Sequence, residues 1–343
     1  MGELGLPRFK GAQSKIRLGV HSPSGFDGHF PRRLARAIES VRRLSGNDPV
    51  VSTNATRVSP LKDEATIRAQ DLHNLLLDPN VDVIMSMTGG YLATDTIRRL
   101  DFDLIGAHPK PIVGFSDATA LLLAIHARAG LTTYHGPSLL ASMGELRFAD
   151  ASWSGLLSAL SGEPLTFRGE DVVEISDEFR FWDKDDDDPA PSTPSSSLIG
   201  LVDGCAEGSI FGGNLETLLI AIAAGFCPPL DGCILFWEAA FGNFGKLTRD
   251  LATLAAGGVL ERISGMIVAA PFNVSGTDAA RVYRLAEDLA RQYRLPTVAG
   301  LRSGHGQPIS TVPIGRRARI DGSRTQPSLV IYSPNPTTES LYA

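Results

Sequence analysis

The chain has 343 residues, 43% of them hydrophobic, with a formal net charge of −6 and a pI of about 5.7. This composition is that of a globular protein long enough for two domains. Because lysine and arginine are scattered along the chain, the charge pattern argues against a nucleic-acid or anionic-membrane surface and favours a small-molecule or peptide substrate.

The sequence shows neither a targeting signal nor a cysteine pattern typical of metal or disulfide sites. No segment reaches the roughly 18 consecutive apolar residues that a membrane span needs, and the first 20 residues lack the apolar core of a signal peptide. We therefore expect a cytoplasmic protein without a membrane partner. The three cysteines, Cys205, Cys227 and Cys233, show no metal-ligand spacing. We expect no disulfide framework, no metal site and no cofactor.

The first 140 residues alternate between predicted strands and helices. We predict buried strands at 15–20, 81–87 and 111–115. We predict helices at about 30–44, 62–77, 93–100 and 117–129. Short glycine-rich turns follow the strands, so the pattern predicts a parallel α/β sheet that binds its ligand at the carboxyl ends of the strands.

The rest of the chain divides into two parts. Residues 147–197 include four aspartates at 185–188 and a Pro/Ser-rich segment, which predicts an irregular, exposed excursion with the acidic run in solvent. After it, short strands and helices recur and predict a second, mixed α/β domain. We therefore place an N-terminal domain at 1–145, a linker and exposed loop at 146–198, and a C-terminal domain at 199–343.

Ser116 carries the strongest local signal for chemistry. An apolar strand reaches this serine and turns at once into a long apolar helix. A sharp turn of this kind presents the hydroxyl at a helix N-terminus, where free N–H groups favour developing negative charge. Gly114 and Ala118 are small enough to permit the crowding. A simple helix-capping serine fits the same residues, and local spacing leaves both interpretations open.

A nucleophilic serine needs a base and an acidic partner that orients it. His305 lies in a loop between two glycines, but spacing does not separate it from the other candidates, His21, His108, His126 and His135. Glu238 ends an apolar strand, where a buried carboxylate would need a partner. The alternative for Glu238 is a charge at the sheet edge in solvent.

Glycine-rich turns give two further candidates. In Thr88-Gly89-Gly90, backbone N–H groups could approach a ligand and form an oxyanion hole with the N–H of Asp117, or the glycines could only serve a tight turn. Gly212-Gly213-Asn214 opens a helix but lacks the lysine and spacing of a P-loop, which argues against nucleoside triphosphate binding.

Seven motifs follow one another along the chain: SPSG, TGGYLA, VGFSDATALL, TYHGPSLL, FGGNLETL, LFWEAA and GHGQPISTVPIG. In this order they resemble the LD-carboxypeptidase family of serine peptidases across nearly the whole chain. Each motif is weak alone, but the ordered set is specific. The resemblance implies an N-terminal parallel α/β domain that carries the nucleophile, a C-terminal domain that carries glutamate and histidine, and a homodimer.

The resemblance also implies roles for individual residues. Ser116 would attack an amide carbonyl, His305 would transfer its proton, and Glu238 would orient the imidazole. The backbone of Gly90 and Asp117 would form the oxyanion hole.

Candidate substrate contacts are Gly89, Asn214, Arg249 and Trp182. Asn214 could donate to the substrate or cap a helix, and Arg249 could bind the substrate carboxylate or form an ion pair.

Two branches of the family differ in substrate. One removes the terminal D-alanine of murein tetrapeptides, and the other, the microcin C immunity branch, hydrolyses an amide-type bond in an aspartyl-nucleotide. Trp182 and its long excursion resemble the second branch, in which an aromatic side chain stacks on adenine. The alternative for Trp182 is to anchor the excursion. We expect hydrolysis of an aminoacyl-nucleotide amide next to a free carboxylate, with murein peptide as the alternative.

Other classes fit less well. A catalytically silent binding protein could share the fold, but all three residues of the triad are present. A glutamine amidotransferase of class I needs a cysteine at position 116, and the turn after the first strand lacks the glycine fingerprint of a dinucleotide-binding dehydrogenase.

Overall fold

The computed structural model describes residues 15–26, 28, 30–184, 186–240, 244–274 and 276–334. The helices are α1 (Pro31–Ser45), α2 (Glu64–Leu77), α3 (Ala93–Ile97), α4 (Phe102–Ala107), α5 (Ala118–Ala129), α6 (Ala149–Leu160), α7 (Leu215–Ala223), α8 (Phe244–Ala256) and α9 (Gly276–Tyr293), with a π-helical turn at Leu139–Met143. The N-terminal strands are β1 (Leu18–His21), β2 (Val50–Val51), β3 (Val83–Ser86), β4 (Ile112–Gly114), β5 (Thr133–His135), β6 (Leu165–Arg168), β7 (Val172–Ile175) and β8 (Thr193–Ser196). The C-terminal strands are β9 (Ile199–Val202), β10 (Cys205–Asn214), β11 (Ile234–Glu238), β12 (Gly265–Ala269), β13 (Thr297–Leu301), β14 (Val312–Ile314), β15 (Arg317–Asp321) and β16 (Ser328–Ile331).

Local sequence explains where helices α1 and α5 end. Helix α1 has a proline at its start, where the missing N–H costs nothing, and ends at Gly46 with φ of 73°. Helix α5 ends in the same way at Gly130, with φ of 70°. Both stops coincide with the predicted ends of these helices to within one residue.

The N-terminal sheet has the strand order β14-β5-β4-β3-β1-β2. Strands β1 to β5 pair in parallel, which confirms the prediction, and β14 joins antiparallel to β5. Both faces are covered: in β3, Ile84 packs into one hydrophobic core with Leu72 of α2, whereas Val83 packs into another with Val41 of α1. Apolar residues therefore run along the strand without alternation.

The C-terminal sheet has the order β6-β16-β15-β10-β11-β12-β13-β9. Its central strands β10 to β13 are parallel and its outer pairs are antiparallel, so the predicted mixed α/β domain is confirmed.

Each half of the chain contributes a strand to the sheet of the other half. Strand β14 comes from the C-terminal half but completes the N-terminal sheet, and β6 precedes residue 198 but extends the C-terminal sheet. Leu122 of α5 and Leu218 of α7 lie in the same hydrophobic core. The carboxyl ends of both sheets are thereby fixed against each other.

The expectation of an irregular, exposed segment at 147–197 is wrong in part. Helix α6 buries Trp153 and Leu156, which are 3% and 1% exposed, and β7 and β8 form an antiparallel hairpin. The apolar spacing of α6 was a helical signal that the acidic and Pro/Ser-rich composition downstream obscured. Residues 176–192, between β7 and β8, form the irregular part, which we call the excursion.

The expected solvated acidic run is also wrong at one position. Asp186 is 7% exposed and forms ion pairs with Arg33 and Arg36 of α1, whose charges offset the cost of burying the carboxylate. Asp187 is exposed and pairs with Arg32 at 3.0 Å, while Asp185 lies outside the described residues.

Among the helices described, none combines the length and apolar character needed to cross a bilayer.

Candidate active site

A cavity of about 370 Å³ lies where the carboxyl ends of the two sheets meet. Its walls come from the segments that follow β1, β3, β4, β12 and β13, and from the excursion. Ser116, His305, Gly89, Gly90 and Trp182 all line it. The cavity thus lies at the strand ends, where the parallel-sheet prediction placed the ligand site.

The Ser116 turn has the geometry of a strained strand-to-helix junction. Ser116 has φ of 59°, a conformation uncommon for residues other than glycine and frequent at functional sites. The N-cap position of α5 is Asp117, one residue after the serine. Gly114 has no room for a side chain, since a Cβ there would lie 2.5 Å from Ser86 Oγ.

Gly89 approaches the Ser116 turn closely, and Gly90 packs against the backbone of Ser24. A Cβ on Gly89 would lie 2.9 Å from Ser116 Oγ. Gly90 has φ of 152°, and a Cβ there would lie 2.2 Å from the carbonyl oxygen of Ser24. Position 90 therefore requires glycine, and a side chain at position 89 would force Ser116 or the turn to shift.

Asp117 links the serine turn to the same segment. Its Oδ2 accepts a hydrogen bond from the backbone N–H of Ala93 at 2.9 Å. Burial raises the pKa of Asp117, and the Ala93 N–H partly opposes that change. The side chain thus ties the N-cap of α5 to the first residue of α3, three residues after Gly90.

Glu238 and His305 are brought together from β11 and from the loop after β13. His305 Nδ1 lies 3.0 Å from Glu238 Oε2, and Glu238 is 2% exposed. A Cβ on Gly304 would lie 3.0 Å from the same carboxylate oxygen, so this glycine permits the close approach. The predicted alternative of a solvent-exposed edge charge is wrong for Glu238.

Asn214 contacts Glu238 rather than the cavity. Its Nδ2 donates to Glu238 Oε1 at 2.9 Å, and its Oδ1 accepts from the backbone N–H of Thr217 at 3.1 Å, which caps α7. Burial alone would raise the pKa of Glu238, but His305, His135 and the Asn214 amide outweigh it and lower that pKa. The site thus favours a buried, ionised carboxylate.

The structure distinguishes His305 from other candidate histidines. His305 is the only histidine among the described residues that line the cavity. His21 and His135 are buried, and burial lowers their pKa values to about 3 and about 4. His135, another of the candidate histidines, has its Nδ1 3.1 Å from Ser303 Oγ at the base of the His305 loop.

Trp182 lines the cavity and is also anchored. Its ring lies 5.4 Å from that of Phe30 in an edge-to-face arrangement, and the Arg33 guanidinium lies 4.6 Å from its centroid. Both alternatives considered for this residue therefore have structural support.

Arg249 is not brought to the cavity, which corrects its expected role. Its side chain is 69% exposed and lies 3.4 Å from Asp250, as an ion pair on α8. Arg180 of the excursion lines the cavity instead and donates to the backbone carbonyl of Asp188 at 2.6 Å. Arg180 could not be singled out from the sequence, because the fold of the excursion depends on distant contacts.

Comparison with protein families matches both halves of the chain. Residues 18–136 match the LD-carboxypeptidase N-terminal domain, and residues 207–320 match the LD-carboxypeptidase C-terminal domain.

Individual relatives extend over most of the chain. The Vibrio cholerae protein VC_A0337 is 32% identical over 312 residues, 89% of this chain and 92% of its own. The Escherichia coli microcin C7 self-immunity protein MccF is 29% identical, covering 84% of this chain and 85% of its own. The murein tetrapeptide carboxypeptidase of Pseudomonas aeruginosa is also 29% identical, covering 75% and 78%.

A solved structure gives the same result for the fold. MccF in complex with aspartyl sulfamoyl adenosine superposes with a TM-score of 0.83 at 26% identity, covering 94% of this chain and 97% of that one. From the matched domains and relatives, the chain belongs to the LD-carboxypeptidase family.

Proposed function

We propose that this protein is a serine hydrolase in which Ser116, His305 and Glu238 form the catalytic triad. The hydrogen bond of 3.0 Å between His305 Nδ1 and Glu238 Oε2, at the cavity that Ser116 also lines, carries the proposal. With Nδ1–H donated to the carboxylate, Nε2 is the ring nitrogen that can accept the serine proton.

The reaction follows from these roles. Ser116 Oγ attacks the amide carbonyl as His305 takes its proton, and the tetrahedral oxyanion is stabilised by the backbone N–H groups of Gly90 and Asp117. His305 then protonates the leaving nitrogen. Water hydrolyses the acyl-enzyme by the same route, and Glu238 stabilises the imidazolium in both steps.

We propose an aminoacyl-nucleotide as the substrate. Trp182 and Phe30 offer aromatic surface for a base, and Arg180 supplies positive charge for an anionic group of the substrate. The similarity to MccF, solved with aspartyl sulfamoyl adenosine, supports this choice. The similarity to a murein tetrapeptide carboxypeptidase supports the alternative, a murein peptide. We further propose a cytoplasmic homodimer.

A paired hydrolysis assay separates the two substrates. Purified protein is incubated with aspartyl sulfamoyl adenosine and with a murein tetrapeptide, and products are identified by mass spectrometry. We expect release of aspartate from the nucleotide, and we expect Trp182→Ala to raise KM for it roughly 10- to 100-fold, the usual contribution of base stacking. Cleavage of the tetrapeptide alone, unaffected by Trp182→Ala, would contradict the nucleotide proposal.

A further inference from the structure

The loop that carries His305 is attached to the base of the excursion. The backbone N–H of Ser176 donates to the carbonyl of Gln307, and the N–H of Gln307 donates back to Ser176, both at 2.8 Å. These two bonds form an isolated antiparallel bridge two residues after His305. The excursion that lines the cavity and the loop that holds the histidine are therefore joined through their backbones.

An ion pair strengthens this junction. Arg302 Nη1 lies 2.6 Å from both carboxylate oxygens of Asp177, and Nη2 donates to Ser195 Oγ at 3.2 Å. The Arg302 side chain is 9% exposed, so solvent screens the pair only weakly. Arg302 thus ties the His305 loop to both ends of the hairpin that bears the excursion.

The carboxylate of Asp177 also packs against Gly306, the residue that follows His305. A Cβ on Gly306 would lie 2.4 Å from Asp177 Oδ1, so no side chain fits at the position next to His305. Displacement of Asp177 would leave open space against the His305 loop.

The far side of the excursion has its own attachment. Asp186 is held by Arg33 and Arg36 of α1, and these contacts do not involve the His305 loop. Loss of the Asp177–Arg302 pair would therefore leave the side near Trp182 anchored while it loosens the side next to His305.

We propose that Asp177 and Arg302 are positioning residues that couple the substrate-contacting excursion to the catalytic histidine. The Asp177–Arg302 pair holds the His305 loop in the position that lets His305 act with Ser116 and Glu238. Loss of the pair therefore acts mainly on the chemical step. This inference rests on the proposed triad, and it adds two residues that do not themselves touch substrate.

The test uses Asp177→Asn, which keeps the size of the side chain and removes its charge. The control is Asp150→Asn, which breaks a different arginine–aspartate pair on the surface away from the cavity, Arg43–Asp150, with two contacts of 2.7 Å. We expect Asp177→Asn to lower kcat about tenfold with a smaller change in KM, because small errors in the placement of a catalytic group are costly. Arg302→Lys keeps the charge but not the fork geometry and should retain part of the rate. Asp150→Asn should match the wild type.

Hydrogen exchange provides a second readout that does not depend on turnover. In Asp177→Asn we expect faster exchange at both 302–311 and 176–184, with α9 unchanged. An unaltered kcat, a rise in KM alone, or unaltered exchange in the His305 loop would overturn the coupling. Full activity in Ser116→Ala would instead contradict the proposed triad, so the two failures are distinguishable.

Discussion

Asn214 and Glu238 are paired in register at the carboxyl ends of β10 and β11, and the Asn214 amide donates to the Glu238 carboxylate at 2.9 Å. One side chain therefore caps α7 and also satisfies the oxygen of Glu238 that His305 does not use. Strand register, helix capping and carboxylate orientation are connected at this single residue.

Two substitutions of Asn214 separate its roles. Asn214→Ser keeps a capping oxygen and loses the amide donor, whereas Asn214→Ala loses both. We expect kcat to fall about 10- to 100-fold in both, because Glu238 loses a contact that orients it. In urea unfolding, Asn214→Ala should be about 1 kcal/mol less stable than Asn214→Ser, the usual value of an N-cap. Wild-type kcat in Asn214→Ser would show that the amide does not position Glu238.

Gly89→Ala places a methyl group against the nucleophile. Since that Cβ would lie 2.9 Å from Ser116 Oγ, the serine or the turn must shift, and we expect kcat to fall about 100-fold. Gly106→Ala in α4 is the matched control, because no atom lies within 4 Å of its added Cβ. The control should keep full activity and gain about 0.5–1 kcal/mol of stability from helix propensity. Equal activity in the two variants would contradict the tight Gly89–Ser116 approach.

The lowered pKa of Glu238 predicts a pH dependence of stability. A carboxyl whose pKa in the folded state lies below its ordinary value of 4.5 stabilises the fold above that pH and loses this contribution as the pH falls through the folded-state pKa. We expect the difference in unfolding free energy between wild type and Glu238→Gln to be constant near neutral pH and to shrink below pH 4.5. Denaturant titrations from neutral pH into the acid range measure it. A difference that grows in acid would mean that the pKa is raised.

Much of the fold could be predicted from the sequence because its signals are local. The strand, turn and helix around Ser116 follow from an apolar run, a small residue on each side and a terminating glycine. The parallel sheet then implies a site at the strand ends, where the structure has its cavity.

The remaining features depend on contacts between distant segments. Asp186 is buried because two arginines of α1 reach it, more than 140 residues earlier in the chain. The histidine that faces the cavity could not be chosen by spacing, because the loop after β13 meets the end of β11 only in the folded protein. For the same reason, the sequence did not single out Arg180, which lines the cavity, and wrongly gave Arg249 a substrate contact.

The most direct test of the central claim is the turnover of Ser116→Ala, measured on whichever substrate the wild type cleaves, with folding verified by its thermal unfolding midpoint. We predict a fall in kcat of at least about 10⁴-fold, as when a triad nucleophile is removed from other serine hydrolases. Turnover close to that of the wild type in the folded variant would contradict Ser116 as the nucleophile.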